Sequence, residues 1–273
     1  PDGAYLYLYD KAGTNRVGAY TSRNNNVEGM LGTELVHGDE IIVEYYEPAV
    51  VKGQGHFTIA NVVHGYRSLN RVQADLLKDL EDSGNCNLDV GCPLGVGWED
   101  QIRSVAMIVV GGSGICTGAL INNTCDDGTP YFLTANHCVG GGSTATWAFR
   151  FNWESPVAIC AAVGTSVDPG PPYDQTANGA TQLYTSAASD VALLQITNMT
   201  LTDAQNWSCF YAGWDNTDAL TVTQGTGIHH PSADVKKICR ENNPLTHQTW
   251  SGAACWQIAN WDQGVTEPGS SGS

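Results

Sequence analysis

Basic side chains are scarce: 12 Lys and Arg stand against 28 Asp and Glu, a formal net charge of -16. A surface of that sign repels phosphate backbones and anionic lipid, which argues against nucleic acid and membrane partners. It would attract a cationic substrate, but solubility alone is the simpler reading. No run of 18 apolar residues occurs, so no transmembrane helix is expected. Long helical patterns, CxxC metal-ligand pairs and a phosphate-binding glycine motif are missing too. The chain opens at Pro1 without Met or a signal-like segment, and stops at Ser273 inside a Gly/Ser-rich loop. Both ends therefore read as cuts in a longer protein.

Cysteine is absent before residue 86, yet nine follow (86, 92, 116, 125, 138, 160, 209, 239 and 255). So many, at wide and irregular spacings, favour disulfides in a secreted protein over zinc. The odd number leaves one without an intrachain partner. The change in usage is the best mark of two domains, 1–80 and 81–273, with the polar stretch Glu81–Asn85 as the boundary.

What is present is a chain with 42% hydrophobic residues, 31 Gly and 8 Trp, which suits an all-β fold with many turns. In the first domain Ala4–Asp10, Glu40–Tyr46 and His56–Val63 alternate like strands, and Leu69–Leu80 has the spacing of a short helix. In the second, strands are expected at Val105–Val110, Thr117–Ile121, Tyr131–Thr134, Trp147–Trp153 and Asp190–Ile196. Val163–Ala180 reads as a polar loop.

Three segments carry chemistry. Leu133-Thr134-Ala135-Asn136-His137-Cys138 ends an apolar strand on a histidine beside a cysteine, with Cys116 upstream, which suggests a disulfide fixing the histidine turn. Ser189-Asp190-Val191-Ala192-Leu193-Leu194 sets one carboxylate at the start of an apolar strand, where burial calls for a partner. Glu267-Pro268-Gly269-Ser270-Ser271-Gly272-Ser273 supplies a serine between glycines, on a loop able to take unusual backbone angles. Acyl transfer by serine needs those parts: nucleophile, imidazole base, a carboxylate holding the base, and N–H groups facing the developing oxyanion. His137, Asp190 and Ser271 are the candidate triad, and Gly269 and Ser271 the candidate oxyanion donors.

These segments, with Cys86–Pro93 (CNLDVGCP), Cys116–Thr124, Tyr131–Cys138, Ala212–Asp215, Ile228–Pro231 and Gly264–Ser273, resemble the lysyl endopeptidase branch of trypsin-like serine proteases. The resemblance runs through most of 84–273. It implies a double β-barrel protease domain, its second barrel incomplete here, preceded by a small β-sandwich-like N-terminal module resembling a pro-region. It implies disulfides Cys92–Cys160 and Cys116–Cys138, a partner for Cys86 beyond Ser273, and a loop in the second lobe closed by Cys239 and Cys255. It further implies a secreted, monomeric endopeptidase acting on peptide or protein substrates, after Lys by kinship alone, with no metal or cofactor. Trp250, His229 and His230 are expected to line the substrate cleft.

Many enzymes of this kind carry an Asp before the nucleophile that pairs with a newly cut N-terminus. Ser270 cannot make that pair, so control is expected to rest on the chain's own pro-region, with cleavage after Lys78 or elsewhere in Leu77–Asn85. Two alternatives stay open: another residue preference, and a protease fold kept as a non-catalytic binding or adhesion protein.

Overall fold

The computed structural model describes residues 1–64, 83–111, 114–140, 142–160, 166–167, 169, 173–217, 221–250 and 252–273. The helix expected at Leu69–Leu80 lies outside them, as does much of the cleavage segment.

In the N-terminal module β1 (Tyr5–Asp10) runs between β2 (Arg16–Tyr20) and β3 (Ile41–Tyr46), all antiparallel. Tyr5 stacks on its cross-strand neighbour Tyr46 at 4.8 Å, a pairing that pins the register. His56–Val63 forms no strand, although it alternates. Phe57, Ile59, Val62 and Val63 are exposed there, and alternation makes a strand only where a sheet edge accepts the backbone. The module is a single sheet whose second layer is the following domain: Val17, Tyr20, Leu6, Leu8 and Val36 share one cluster with Trp153, Tyr173 and Val235.

Residues between β2 and β3 lie against that domain closely enough to bury a charge. The Arg150 guanidinium meets the Glu34 carboxylate through two hydrogen bonds, at 3.0 and 2.7 Å, with both side chains almost fully enclosed. Tyr173 and Trp153 flank the guanidinium, with ring centroids 3.7 and 4.5 Å from its carbon. Gly32 has no room for a side chain, since a β-carbon there would sit 1.7 Å from the Thr146 carbonyl oxygen.

The second domain begins with β4 (Leu88–Asp89) and α1 (Glu99–Ser104). Then come β5 (Val105–Val110), β6 (Gly114–Ile121), β7 (Tyr131–Ala135), α2 (Asn136–Val139), β8 (Ala148–Phe151), β9 (Thr176–Asn178), β10 (Ala180–Ser186) and β11 (Val191–Ile196). Their sheet order is β10-β11-β7-β6-β5-β8-β9. β9 and β10 are separated only by Gly179, so the order ends where it began and six strands close a barrel, β9 and β10 acting as one bent strand. The bend needs Gly179: its φ is +75°, its N–H donates to Trp147 and its carbonyl accepts from Thr197. Thr176–Ala180, expected as loop, is therefore part of the closing strand. Ile108, Leu120, Phe132, Phe149, Leu194 and Ile196 fill the interior.

The second lobe is smaller. After α3 (Leu201–Asn206), β12 (Gly225–His229) and β13 (Lys237–Glu241) join β4 in the order β12-β13-β4, and β14 (Thr246–Trp250) and β15 (Ala253–Gln257) form a hairpin. No second closed barrel forms among the described residues. Disulfides join Cys92 to Cys160 and Cys116 to Cys138, as the resemblance implies. Cys239 and Cys255 are not bonded to each other. Cys239 is buried on β13 with its sulfur facing the Gly227 carbonyl, whereas Cys255 sits on the separate hairpin opposite Gln248. Burial among apolar atoms raises the Cys239 thiol to about 12, so it stays protonated.

Candidate active site

β7 ends at Ala135 and α2 starts at once, so His137 lies on the first turn after a barrel strand. Asp190 lies just before β11, the strand paired to β7 with Val191 opposite Ala135. This register brings the two residues together. The Asp190 carboxylate takes the His137 backbone N–H at 2.8 Å and the imidazole Nδ1 at 2.6 Å. The Asp190 carbonyl also accepts from Asn136 at 3.1 Å. These bonds hold Asp190 at φ +52°, a left-handed conformation that Asp tolerates better than most residues. A carboxylate on Nδ1 fixes the tautomer and leaves Nε2 as the free basic atom. The carboxylate is paired as expected but not deeply buried, its side chain keeping 45% of its exposure.

The serine loop comes from the other lobe and lies on β6. Two successive turns, 267–270 and 270–273, each close with a hydrogen bond, Ser270 N–H to Glu267 O and Ser273 N–H to Ser270 O. Gly269 at φ +98° and Gly272 at φ +93° occupy their third positions, as type II turns require. A β-carbon on Gly272 would lie 2.2 Å from the Thr117 carbonyl oxygen and 2.9 Å from the Ala135 nitrogen. That close approach sets Ser271 beside the strand end carrying His137, next to the Cys116–Cys138 bond. The Ser271 hydroxyl makes no hydrogen bond to His137 among the described residues.

Every carbonyl from 267 to 271 is occupied. Those of Glu267 and Ser270 take the turn bonds, and that of Pro268 accepts from Ser232 N–H at 2.6 Å. The Gly269 and Ser271 carbonyls accept from the Thr117 hydroxyl and Thr117 N–H, each at 2.8 Å. Because a trans peptide directs N–H opposite to C=O, anchoring the Pro268 and Ser270 carbonyls aims the Gly269 and Ser271 N–H groups away from the anchors. Neither N–H has a partner among the described residues, which suits oxyanion donors.

Residues 80–273 match the family model described as "Lysyl endopeptidase, C-terminal domain". The chain belongs to that family. A curated lysyl endopeptidase of Pseudomonas aeruginosa is 28% identical over 248 residues, covering 88% of this chain; the chain spans 52% of that relative's length. Among solved structures, the Rv3671c protease from M. tuberculosis in its active form is 15% identical with a TM-score of 0.39, covering 67% of each chain. A scabies mite inactivated protease paralogue, S-I1, is 16% identical with a TM-score of 0.41, covering 63% of this chain and 77% of its own.

Two expected cleft residues sit elsewhere. His229 and His230 are fully buried and line no surface, because β12 and the turn after it turn both side chains into the second lobe. His230 donates from Nδ1 to the Asp234 carbonyl at 3.0 Å. Burial first, and then the Lys237 charge, push the His229 imidazole down to about 4. Its Nδ1 shares a hydrogen bond with the Ser270 hydroxyl at 2.7 Å, while Ser270 Oγ accepts from Glu267 N–H at 3.1 Å. Ser270, which cannot pair with an ammonium, is thus tied to a neutral histidine. Trp250 is exposed at the end of β14. Thr117 escaped the sequence reading; its one signal is a polar residue at a fully buried position in an apolar strand.

Proposed function

We propose that this chain carries the catalytic apparatus of a secreted serine endopeptidase that cleaves after Lys. The observation that carries the reading is the Asp190–His137 pair, with both carboxylate oxygens engaged, beside a serine loop whose two candidate oxyanion N–H groups have no partner among the described residues.

In this mechanism Ser271 Oγ attacks the peptide carbonyl carbon as His137 Nε2 takes its proton. Asp190 holds the imidazolium that results. The Gly269 and Ser271 N–H groups receive the oxyanion, each such donor contributing about 3 kcal/mol. His137 then gives its proton to the leaving amine, and water, deprotonated by the same Nε2, hydrolyses the acyl-enzyme. Trp250 offers an aromatic face to the substrate chain. The Lys preference rests on the family name alone, and secretion on the disulfides and the relative.

The test uses the full-length protein, a fluorophosphonate probe and peptides varied only at the residue before the cleaved bond. Labelling of Ser271, cleavage after Lys and loss of both in His137→Ala would support the reading. Labelling with another preference would remove the Lys assignment. An unlabelled protein would favour a non-catalytic binding role.

A further inference from the structure

We propose that Glu267 is a positioning residue for the oxyanion-binding peptide, acting through Ser232; this rests on the serine-peptidase reading above. Glu267 stands four places before the nucleophile, and its carboxylate is fully used. Oε1 accepts from Gly84 N–H at 2.9 Å and from Asn87 Nδ2 at 2.8 Å. Oε2 accepts from the Ser232 hydroxyl at 2.9 Å.

Ser232 in turn donates its N–H to the Pro268 carbonyl, and that bond fixes the peptide plane bearing the Gly269 N–H. Ser232 and Ala233 sit at φ +51° and +61°, left-handed values that non-glycine residues adopt only when neighbours hold them there. The Glu267 contact holds Ser232 by its side chain. A β-carbon on Gly269 would lie 2.8 Å from the His230 carbonyl oxygen and 3.2 Å from Ser232 N, so the loop has no slack toward this turn. The relay therefore runs from Gly84 and Asn87 through the Glu267 carboxylate and Ser232 to the Gly269 N–H. Gly84 lies within the stretch where pro-region cleavage is expected, so a cut beyond it would remove one end of the relay.

The full-length protein is compared with Glu267→Ala, Glu267→Gln and Ser232→Ala, reading kcat and KM separately, the fluorophosphonate labelling rate and Tm. Misplacing one donor is expected to lower kcat and labelling of Glu267→Ala by about 10- to 100-fold with KM nearly unchanged. Glu267→Gln should restore most of the loss, because its carboxamide oxygen can accept from Gly84 and Asn87 while its NH2 donates to Ser232. Should Glu267→Ala fail to fold, Ser232→Ala, which removes only the hydroxyl, carries the test and must show the same kcat-selective loss. Unchanged kcat and labelling, a loss confined to KM or Tm, or equal damage in Glu267→Gln would overturn the inference. If the unmodified protein is not labelled at Ser271 at all, the function reading fails instead.

Discussion

Inside the closed barrel lie Ile108, Leu120, Phe132, Phe149, Leu194 and Ile196, whereas the smaller lobe encloses Lys236, Lys237, His229, His230, Asp89 and Asp234. The first interior is stabilised by area removed from water and tolerates modest changes of shape. The second has an apolar cluster of its own, Leu88, Val90, Ile102, Ile228 and Ile238, but the charges enclosed beside it depend on partners. Lys237 Nζ meets Asp89 at 2.6 Å and Asp234 at 3.0 Å, and Lys236 Nζ meets the Ile102 carbonyl at 2.7 Å and Glu154 at 3.0 Å. Burial pulls the Lys236 ammonium below its ordinary range, and Glu154 opposes that pull. One half of the proposed catalytic site rests on each interior: the His137–Asp190 pair on the barrel, the serine loop on the charged lobe. Activity should therefore depend on the charged lobe in ways that barrel stability does not reveal.

The largest expected effect is on chemistry. Asp190→Asn keeps a residue tolerant of φ +52° but offers Nδ1 the wrong tautomer partner, so kcat should fall on the order of 10^4-fold with Tm little changed. A large Tm drop would mean that the pair is part of the barrel's support instead. Next, Lys237→Met leaves two enclosed carboxylates without their cation and should cost about 3–5 kcal/mol in urea unfolding. A neutral result would show that the second interior is less dependent on pairing than its geometry implies.

The third is acid sensitivity. His229 is held near 4 when folded, against an ordinary 6.5, so it adds no pH dependence above 6.5. Below that the unfolded chain takes the proton first, and stability falls until about pH 4, by about 3 kcal/mol in all. Amide protection factors, corrected for the pH dependence of intrinsic exchange, should therefore fall in β12 and β13 before β5–β7 as pH drops, and His229→Gln should flatten the slope. A uniform fall would erase the contrast between the lobes. The smallest effect belongs to the barrel: Gly179→Ala, at φ +75° and with Thr197 Oγ1 2.9 Å from the new β-carbon, should cost about 1–2 kcal/mol by thermal melting.

The same contrast explains what the sequence discloses. β5, β6, β7, β8 and β11 are legible because a barrel interior asks for apolar residues at regular positions. β10 is not, since four of its seven residues are exposed, and β13 (KICRE) hides buried charges behind a polar spelling. The candidate triad stands out because three chemical groups must appear in recognisable settings. Thr117, Ser232 and Glu267 do not, because they act by holding the loop through contacts distant in sequence, and any pattern search sees only a threonine, a serine and a glutamate. Cys239 misleads for a related reason: buried and apolar in character, it serves as packing, which spacing cannot distinguish from a crosslink.

The Glu34–Arg150 pair has a consequence for how the N-terminal module could ever leave. Were the backbone cut within 65–82, the two pieces would still share one enclosed ion pair and one apolar cluster. Departure would then be a bimolecular equilibrium, favoured by dilution and resisted by the loss of that pairing and the wetting of that cluster. Severing the chain would change the count of polypeptides long before it changed the shape of the particle.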